Sequence, residues 1–215
     1  MEGFLVANPE GGSGKSTLAT NLAGYFASRR HDVMLGDIDR QQSARDWLAI
    51  RPFELPTIDT WDIGPDKIAR PPKGTSHVVL DTPAGLHGKA LDKVLKLSTR
   101  VIVPVQPSLF DIYATQNFLG KLAERGVLKD DGRVGVLGMR VDARTRAAEQ
   151  LHHLAARLRL AGLEVAQVPC RDLRLEGQLL LREPPRRPPP FEQPRKRVHA
   201  KTMYHATACA HDLGR

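Results

Sequence analysis

Short runs of apolar residues alternate along the chain with segments in which apolar residues recur every three or four positions. The first run, Gly3–Ala7, predicts a buried strand. Between Lys15 and Ser28 apolar residues fall at Ala19, Leu22, Ala23 and Phe26, which is the spacing of a helix with one face on a core. The sequence therefore begins with a strand followed directly by a helix.

The same pair of elements then repeats. The predicted strands are Val33–Asp37, His77–Asp81, Val101–Val105, Val134–Leu137 and Leu163–Val168, and the predicted helices are Ser43–Ile50, Lys89–Leu97, Asp111–Arg125 and Arg144–Leu160. Strands this rich in Val, Ile and Leu are typical of a parallel sheet that is buried on both sides. We therefore predict an α/β fold with a doubly wound, mostly parallel sheet and helices on both faces. In such folds ligands bind beyond the carboxyl ends of the strands.

The pattern breaks down towards the end of the chain, where prolines are interspersed with arginines. Proline removes a backbone donor and is excluded from helix interiors. We predict one domain over residues 1–175, followed by a basic, proline-rich tail over 176–215 that is disordered or atypical. A truncated domain with an unrelated tail and a change of reading frame near residues 150–175 would both explain the change in composition.

Composition excludes several classes of protein. Hydrophobic residues make up 41% and charged residues 26%, and no apolar run approaches the roughly 18 residues of a membrane-spanning helix. No basic, then apolar, leader precedes Gly3, and the chain has 2 cysteines, so we expect a cytoplasmic protein in reducing surroundings.

The positive charge is concentrated in the last third of the chain. Residues 1–139 hold 17 Lys and Arg against 16 Asp and Glu, whereas residues 140–215 hold the remaining 15 against 8, which accounts for +7 of the net +8. This distribution favours a polyanionic partner, with nucleic acid ahead of an anionic lipid surface. A basic, solvated tail would give the same distribution.

The turn after the first strand carries the clearest chemistry. It reads Asn8-Pro9-Glu10-Gly11-Gly12-Ser13-Gly14-Lys15-Ser16-Thr17 and opens a helix. Glycines allow successive backbone N–H groups to surround an anion, and the helix N-terminus adds partial positive charge. Lys15 would reach the β- and γ-phosphates of a nucleotide, Ser16 would bind Mg²⁺, and Thr17 could donate to the α-phosphate. A dinucleotide-binding loop is less consistent with the sequence, because Thr17 replaces its third glycine.

The strict phosphate-loop pattern would place its first glycine at Pro9. With that departure, Asn8 to Thr17 resembles the deviant Walker A motif of the ParA/MinD family of dimerising ATPases. Asp37 to Trp47 is similar to the family's switch I segment, and Val78 to Gly85 to its Walker B and switch II segment. The segment Val103 to Ser108, followed by Asp111, is similar to a further family segment. The resemblance covers residues 3–172 and implies ATP and Mg²⁺ as cofactors.

Three carboxylates become candidates for the chemistry. Asp81 ends a buried strand beside the loop, where it can hold Mg²⁺ through water while Ser16 binds the ion directly. The resemblance implies that Asp39 positions the attacking water and that Asp37 supports the metal site. A helix-capping or solvated carboxylate is the alternative for Asp39. Arg140 and Asp142, predicted to follow the end of a strand, are candidates for contact with the base.

Glu10 is the main departure from the family. The resemblance implies a signature lysine immediately before Gly11 and Gly12, one that reaches the partner's nucleotide across a dimer, but this chain has Glu10 there. A carboxylate about 4 Å from a phosphate oxygen would cost about 4 kcal/mol at an effective dielectric of 20. The chain could use another cation, bind ATP without normal turnover, or carry an engineered substitution.

The resemblance also implies partners. Family members form a homodimer with ATP, bind DNA without sequence preference, and are stimulated by a ParB-like or other adaptor protein. We expect a nucleoid-associated protein that positions plasmid, chromosome or other large cargo, without a membrane partner. The alternative is a non-hydrolysing or hydrolysis-impaired, nucleotide-dependent DNA-binding or scaffold protein. The candidate DNA contacts are Arg140, Arg144, Arg146, Arg157, Arg159, Arg171 and Arg174.

Overall fold

The computed structural model describes residues 1–129, 132–142, 144–160 and 164–169. Its strands are β1 (Glu2–Val6), β2 (Val33–Asp37), β3 (His77–Asp81), β4 (Arg100–Val105), β5 (Val134–Val141) and β6 (Glu164–Pro169). Its helices are α1 (Lys15–Ser28), α2 (Ser43–Ala49), α3 (Gly88–Leu97), α4 (Leu109–Glu124) and α5 (Arg146–Leu160), with a 3-10 helix over Val127–Lys129.

The six strands form one sheet in the order β2-β3-β1-β4-β5-β6, and every neighbouring pair is parallel. The chain leaves β1 towards one edge of the sheet and later passes from β3 to β4 on the other side of β1. The strand order therefore reverses at β1, and the loop between β1 and α1 lies at the position where such sheets bind ligands.

Helices cover both faces of the sheet, as the sequence predicts. On one face the ring of Phe4 packs against Phe26 of α1, with 4.7 Å between the ring centroids. On the other face lies one hydrophobic cluster, in which Leu5 and Leu80 from the strands pack with residues of α3, α4 and α5. The helical contributions to this cluster include Leu91, Val94, Ile112, Phe118, Leu122, Leu151 and Leu154.

Three predicted elements, α1, β2 and β3, have the predicted bounds, and the other predicted elements differ by a few residues at their ends. The prediction starts α4 at Asp111, but the helix starts at Leu109, because the Ser108 hydroxyl caps it by accepting a hydrogen bond from the Asp111 N–H. The prediction ends β5 at Leu137, but the strand continues to Val141. Helix α5 accordingly starts later than predicted, at Arg146, with Thr145 accepting from the Ala148 N–H.

The long connection between α2 and β3 returns along the outer side of β2. The N–H of Leu35 donates to the carbonyl of Asp59 at 2.8 Å, and the N–H of Asp59 donates to the carbonyl of Val33 at 3.0 Å. Trp61 then lies directly over Gly36, where a Cβ atom would come within 2.5 Å of the indole ring. A side chain at position 36 would displace this indole.

The predicted boundary between domain and tail lies outside the described residues, as do Cys170 and the proline-rich segment, so both stay predictions. Within the described part of the chain, none of the helices combines the length and apolar character that a bilayer crossing requires.

Candidate nucleotide site

The loop between β1 and α1 has the backbone of an anion site. Gly12 and Gly14 have φ angles of 72° and 91°, in the left-handed region that favours glycine. No side chain caps α1, and its first turn contains no acidic residue. The N–H groups at the start of α1 are thus available to an anion, and the helix dipole favours one there.

Lys15 is held inside this loop. Its side chain is buried, and its ammonium donates a hydrogen bond to the carbonyl oxygen of Glu10 at 2.6 Å. Burial lowers the pKa of Lys15, and the negative charges of Asp81, Asp39 and Glu10 oppose that decrease. The ammonium thus lies in the field of Asp81, Asp39, Glu10 and Asp111, and it can exchange its bond to a carbonyl for bonds to a phosphate.

Asp81 lies at the carboxyl end of β3, facing the loop. It is 0% exposed, and neither of its carboxylate oxygens has a hydrogen-bond partner among the described residues. Burial and, to a smaller extent, the charge of Asp37 raise the pKa of the Asp81 carboxyl to about 7, and Ser16 and Lys15 oppose this increase. An unpaired buried carboxylate beside a hydroxyl fits a hard cation such as Mg²⁺, which prefers oxygen ligands.

Asp37 ends the neighbouring strand, β2, and is largely occupied by backbone N–H groups. Its carboxylate accepts hydrogen bonds from Asp39 at 3.0 Å, Ala44 at 2.8 Å and Arg45 at 3.2 Å. Burial raises the pKa of Asp37, and these backbone donors oppose the increase. The helix-capping role considered for Asp39 thus belongs to Asp37, which caps α2, and its support of a metal site stays a prediction.

Asp39 lies in the loop that follows β2. It is partly exposed, and its carboxylate accepts a hydrogen bond from the N–H of Gln41 at 3.1 Å. Asp39 follows the carboxyl end of β2, and the β1–α1 loop lies at the same end of the sheet. Its charge opposes the decrease in the pKa of Lys15. The structure therefore brings together Lys15, Asp39 and Asp81, the three predicted catalytic residues.

Glu10 is half-buried at the entrance to the loop. Its main chain is fixed on both sides, since its N–H donates to Asn8 Oδ1 at 2.8 Å and its carbonyl accepts from Lys15. Its carboxylate is close enough to Lys15 to oppose the decrease in that residue's pKa. The site consequently contains a negative charge at the position where the resemblance implies a positive one.

The candidates for base contact are placed differently from the prediction. Arg140 does not follow a strand end but lies inside β5, exposed and with a φ of 52°. Asp142 follows the strand and pairs with Arg144 at 2.8 Å. The Arg144 side chain lowers the pKa of Asp142 to about 2. Arg144 is thus paired with a carboxylate, so a contact with a DNA phosphate would have to compete with Asp142.

The other predicted DNA contacts are only partly described. Arg146 is exposed at the start of α5. The backbone positions of Arg157 and Arg159 lie on α5, but their side chains, like Arg171 and Arg174, fall outside the described residues. The predicted basic surface therefore stays a prediction for most of its members.

Three positioning contacts were missed from the sequence. Gln106, after β4, donates through its side-chain amide to the carbonyl of Gly12. The N–H of Gly85, in the loop after β3, donates to the carbonyl of Pro9 at 2.9 Å. Asn8 is buried, and its side chain donates to β4 and α4. A polar residue directly after a buried strand was the available signal for Asn8. Gln106 and Gly85 lie in segments that resemble the family, but the sequence did not indicate their contacts with the loop.

Comparison with protein families now places the site. The model of the CobQ/CobB/MinD/ParA nucleotide binding domain matches residues 4–176. The chain belongs to this family. The resemblance to the ParA/MinD family is thereby confirmed, and the assignment of individual segments to the family's switch regions stays a prediction.

Relatives and solved structures show the same likeness. The chain is 33% identical over 142 residues to the maintenance of carboxysome distribution protein A of Gloeobacter kilaueensis, covering 65% of this chain and 63% of that protein. It is 29% identical over 182 residues to the chromosome-partitioning ATPase Soj of Thermus thermophilus, covering 69% and 73%. The chain thus spans less than two thirds of the first relative. A plasmid partition protein from Borrelia burgdorferi bound to AMPPNP shares the fold, with a TM-score of 0.62 and 17% identity over 85% of this chain and 92% of that one.

Proposed function

We propose that the protein is a Mg²⁺-dependent ATPase that positions or segregates DNA or another large cargo. The observation that carries the proposal is that the site contains both a buried lysine, Lys15, and a buried carboxylate, Asp81, which has no hydrogen-bond partner among the described residues. Both lie at the carboxyl end of the sheet, where the strand order reverses. The negative charge of a triphosphate would complement Lys15, and the positive charge of a magnesium ion would complement Asp81.

Each residue of the loop has a role in this proposal. The N–H groups from Gly11 to Thr17 surround the phosphates, and Lys15 leaves the Glu10 carbonyl to contact them. Ser16 and Asp81 hold the magnesium ion, which would neutralise charge on the phosphates. Asp39 would orient the attacking water by accepting a hydrogen bond from one of its O–H groups. Arg140 and Asp142 remain our candidates for the base.

The proposed cellular role follows from the relatives, whose names refer to carboxysome distribution and chromosome partitioning. In our proposal ATP promotes a homodimer, the dimer binds DNA without sequence preference, and a ParB-like or other adaptor stimulates hydrolysis. The protein then acts in the cytoplasm, associated with the nucleoid. Exposed Arg146 supports DNA binding through phosphates, which predicts an affinity that falls with salt by a log-log slope near −0.9 per phosphate neutralised.

Calorimetry with ATP, with and without Mg²⁺, tests the central proposal, and turnover is then measured with and without duplex DNA. We expect Mg²⁺-dependent uptake and a turnover that Asp39→Ala abolishes. Asp66→Asn is a matched control, because Asp66 is an exposed carboxylate paired with Arg40. Folded protein that takes up no ATP in the presence of Mg²⁺ would refute the proposal.

A second candidate function is favoured by Glu10. A non-hydrolysing or hydrolysis-impaired scaffold would bind ATP and DNA but would turn over slowly, because the carboxylate of Glu10 opposes a second nucleotide-loaded copy. Glu10→Lys should then raise the ATP-dependent dimer fraction in analytical ultracentrifugation, with Glu10→Gln between the two. Equal dimer fractions in all three proteins would show that position 10 does not limit association.

A further inference from the structure

A buried amide ties the nucleotide loop to the neighbouring strand β4 and to helix α4. Asn8 is 2% exposed, and its Nδ2 donates to the carbonyl of Pro104 at 2.7 Å and to the hydroxyl of Thr115 at 3.0 Å. Its Oδ1 accepts from the N–H of Glu10 at 2.8 Å. One side chain thereby joins the end of β1 to β4, to α4 and to the loop itself.

The chemistry of these contacts requires an amide. An aspartate of the same shape could accept from Glu10 but could not donate to the two oxygens on the other side. Thr115 is 0% exposed, so losing either partner would leave a polar group buried without compensation. The contacts therefore fix the orientation of the Asn8 side chain.

The Asn8 amide acts on the nucleotide site through the backbone of Glu10. Asn8 holds the N–H of Glu10, and the carbonyl of Glu10 holds the Lys15 ammonium at 2.6 Å. A shift of Asn8 thus moves the residue on which Lys15 rests before nucleotide enters. Helix α4 is part of the same linkage, because Thr115 lies on its buried side.

We propose that Asn8 and Thr115 form a positioning pair that presets the phosphate loop and couples it to α4. Neither residue needs to touch the nucleotide: Asn8 places Glu10, and Thr115 places Asn8. This inference rests on the proposed nucleotide-binding function. It predicts that a change on α4, outside the loop, alters nucleotide affinity.

Thr115→Val tests the pair, because it removes the acceptor and keeps the shape of the side chain. With Mg²⁺-AMPPNP as the probe in calorimetry, we expect the affinity to decrease by about 5- to 10-fold, the usual effect of losing one buried hydrogen bond. Thr115→Ser keeps the hydroxyl and should bind within about twofold of the unchanged protein. In nucleotide-free protein, amide hydrogen exchange at Glu10 should become faster in Thr115→Val and stay unchanged in Thr115→Ser.

Leu122→Val is the matched control, since Leu122 is buried on the same helix and makes no polar contact with the loop. It should lower the urea midpoint without changing AMPPNP affinity or Glu10 exchange. The inference is overturned if Thr115→Val leaves both readouts unchanged, if Thr115→Ser is as impaired, or if Leu122→Val is. If even the unchanged protein takes up no AMPPNP, the proposed function fails, and Glu10 exchange still decides whether the pair positions the loop.

Discussion

The two ends of the sheet differ in how their polar groups are satisfied. At the carboxyl end, Lys15 and Asp81 are buried, and the Asp81 oxygens have no hydrogen-bond partner among the described residues. At the amino end, the rings of Phe26, His31 and His77 pack together, with 4.0 Å between the two histidine centroids and 4.6 Å between Phe26 and His77. The buried charges at the carboxyl end therefore lower the stability of the fold, whereas the ring packing at the amino end raises it.

The largest effect should come from neutralising the carboxyl end. Asp81→Asn removes a buried charge and should raise the free energy of unfolding of nucleotide-free protein at pH 8 by up to about 4 kcal/mol, the penalty implied by a pKa of about 7 in place of 3.8. The same change should abolish Mg²⁺-dependent nucleotide binding. Urea unfolding and calorimetry measure the two effects.

The sign of this effect depends on pH. Because the folded-state pKa of Asp81 is about 7 and lies above the ordinary value of 3.8, the folded protein holds a proton that the unfolded chain loses. The penalty is therefore fully present above pH 7 and disappears as the pH falls towards 4. A gain from Asp81→Asn that was equally large at pH 4 would show that ionisation is not its cause.

A smaller effect is expected from truncating the amino end. Phe26→Ala removes ring contacts with Phe4 and His77 and should lower the free energy of unfolding by about 2 kcal/mol, since Phe26 is half-buried. AMPPNP affinity should stay within about twofold, because the cluster lies at the opposite end of the strands. A decrease in AMPPNP affinity well beyond twofold would show that the two ends of the sheet are coupled.

The smallest effect concerns the protonation of the amino end. Burial lowers the pKa of His77, and the charges of His31 and the N-terminal amine lower it further. The charge of Glu2 opposes this decrease. Below about pH 6.5 the unfolded chain binds a proton more readily than the folded protein does, so stability contributed by this group falls as the pH falls; solvent screening keeps the change below about 1 kcal/mol.

His77→Phe isolates this contribution. Urea unfolding of both proteins between pH 8 and pH 5.5 gives a difference from which the opposite contribution of Asp81 cancels. We expect the unchanged protein to lose more stability than the variant over this range. Parallel pH profiles would mean that His77 does not carry the effect.

The sequence predicts most of the fold because hydrophobic spacing is local information. Helix α1 and strands β2 and β3 have the predicted bounds, since each is a regular apolar pattern that ends at a polar residue. The predicted start of α4 at Asp111 was wrong because Ser108 caps the helix, which begins at Leu109. The strand-like pairing of Asp59 with β2 was missed, because a two-bond contact leaves no periodic pattern.

The site was predicted unevenly for a related reason. Gly12, Gly14 and Lys15 lie within four consecutive residues, so their spacing alone indicates an anion site. The partners of Asp37 and Asn8 depend on tertiary geometry: Asp37 meets the start of α2, and Asn8 reaches Thr115, which is 107 residues away. Such contacts have no signature in a single sequence.

The Asp59 contact also limits how copies of this protein can associate. A strand at the border of a sheet exposes unpaired N–H and C=O groups on which another chain can add a strand. Here the N–H of Leu35 and the carbonyl of Val33 are already taken by Asp59, and Trp61 lies over the adjacent glycine. A strand adding along this border would have to displace Asp59, so we expect the Asp59 contact to disfavour extension of the sheet on this side.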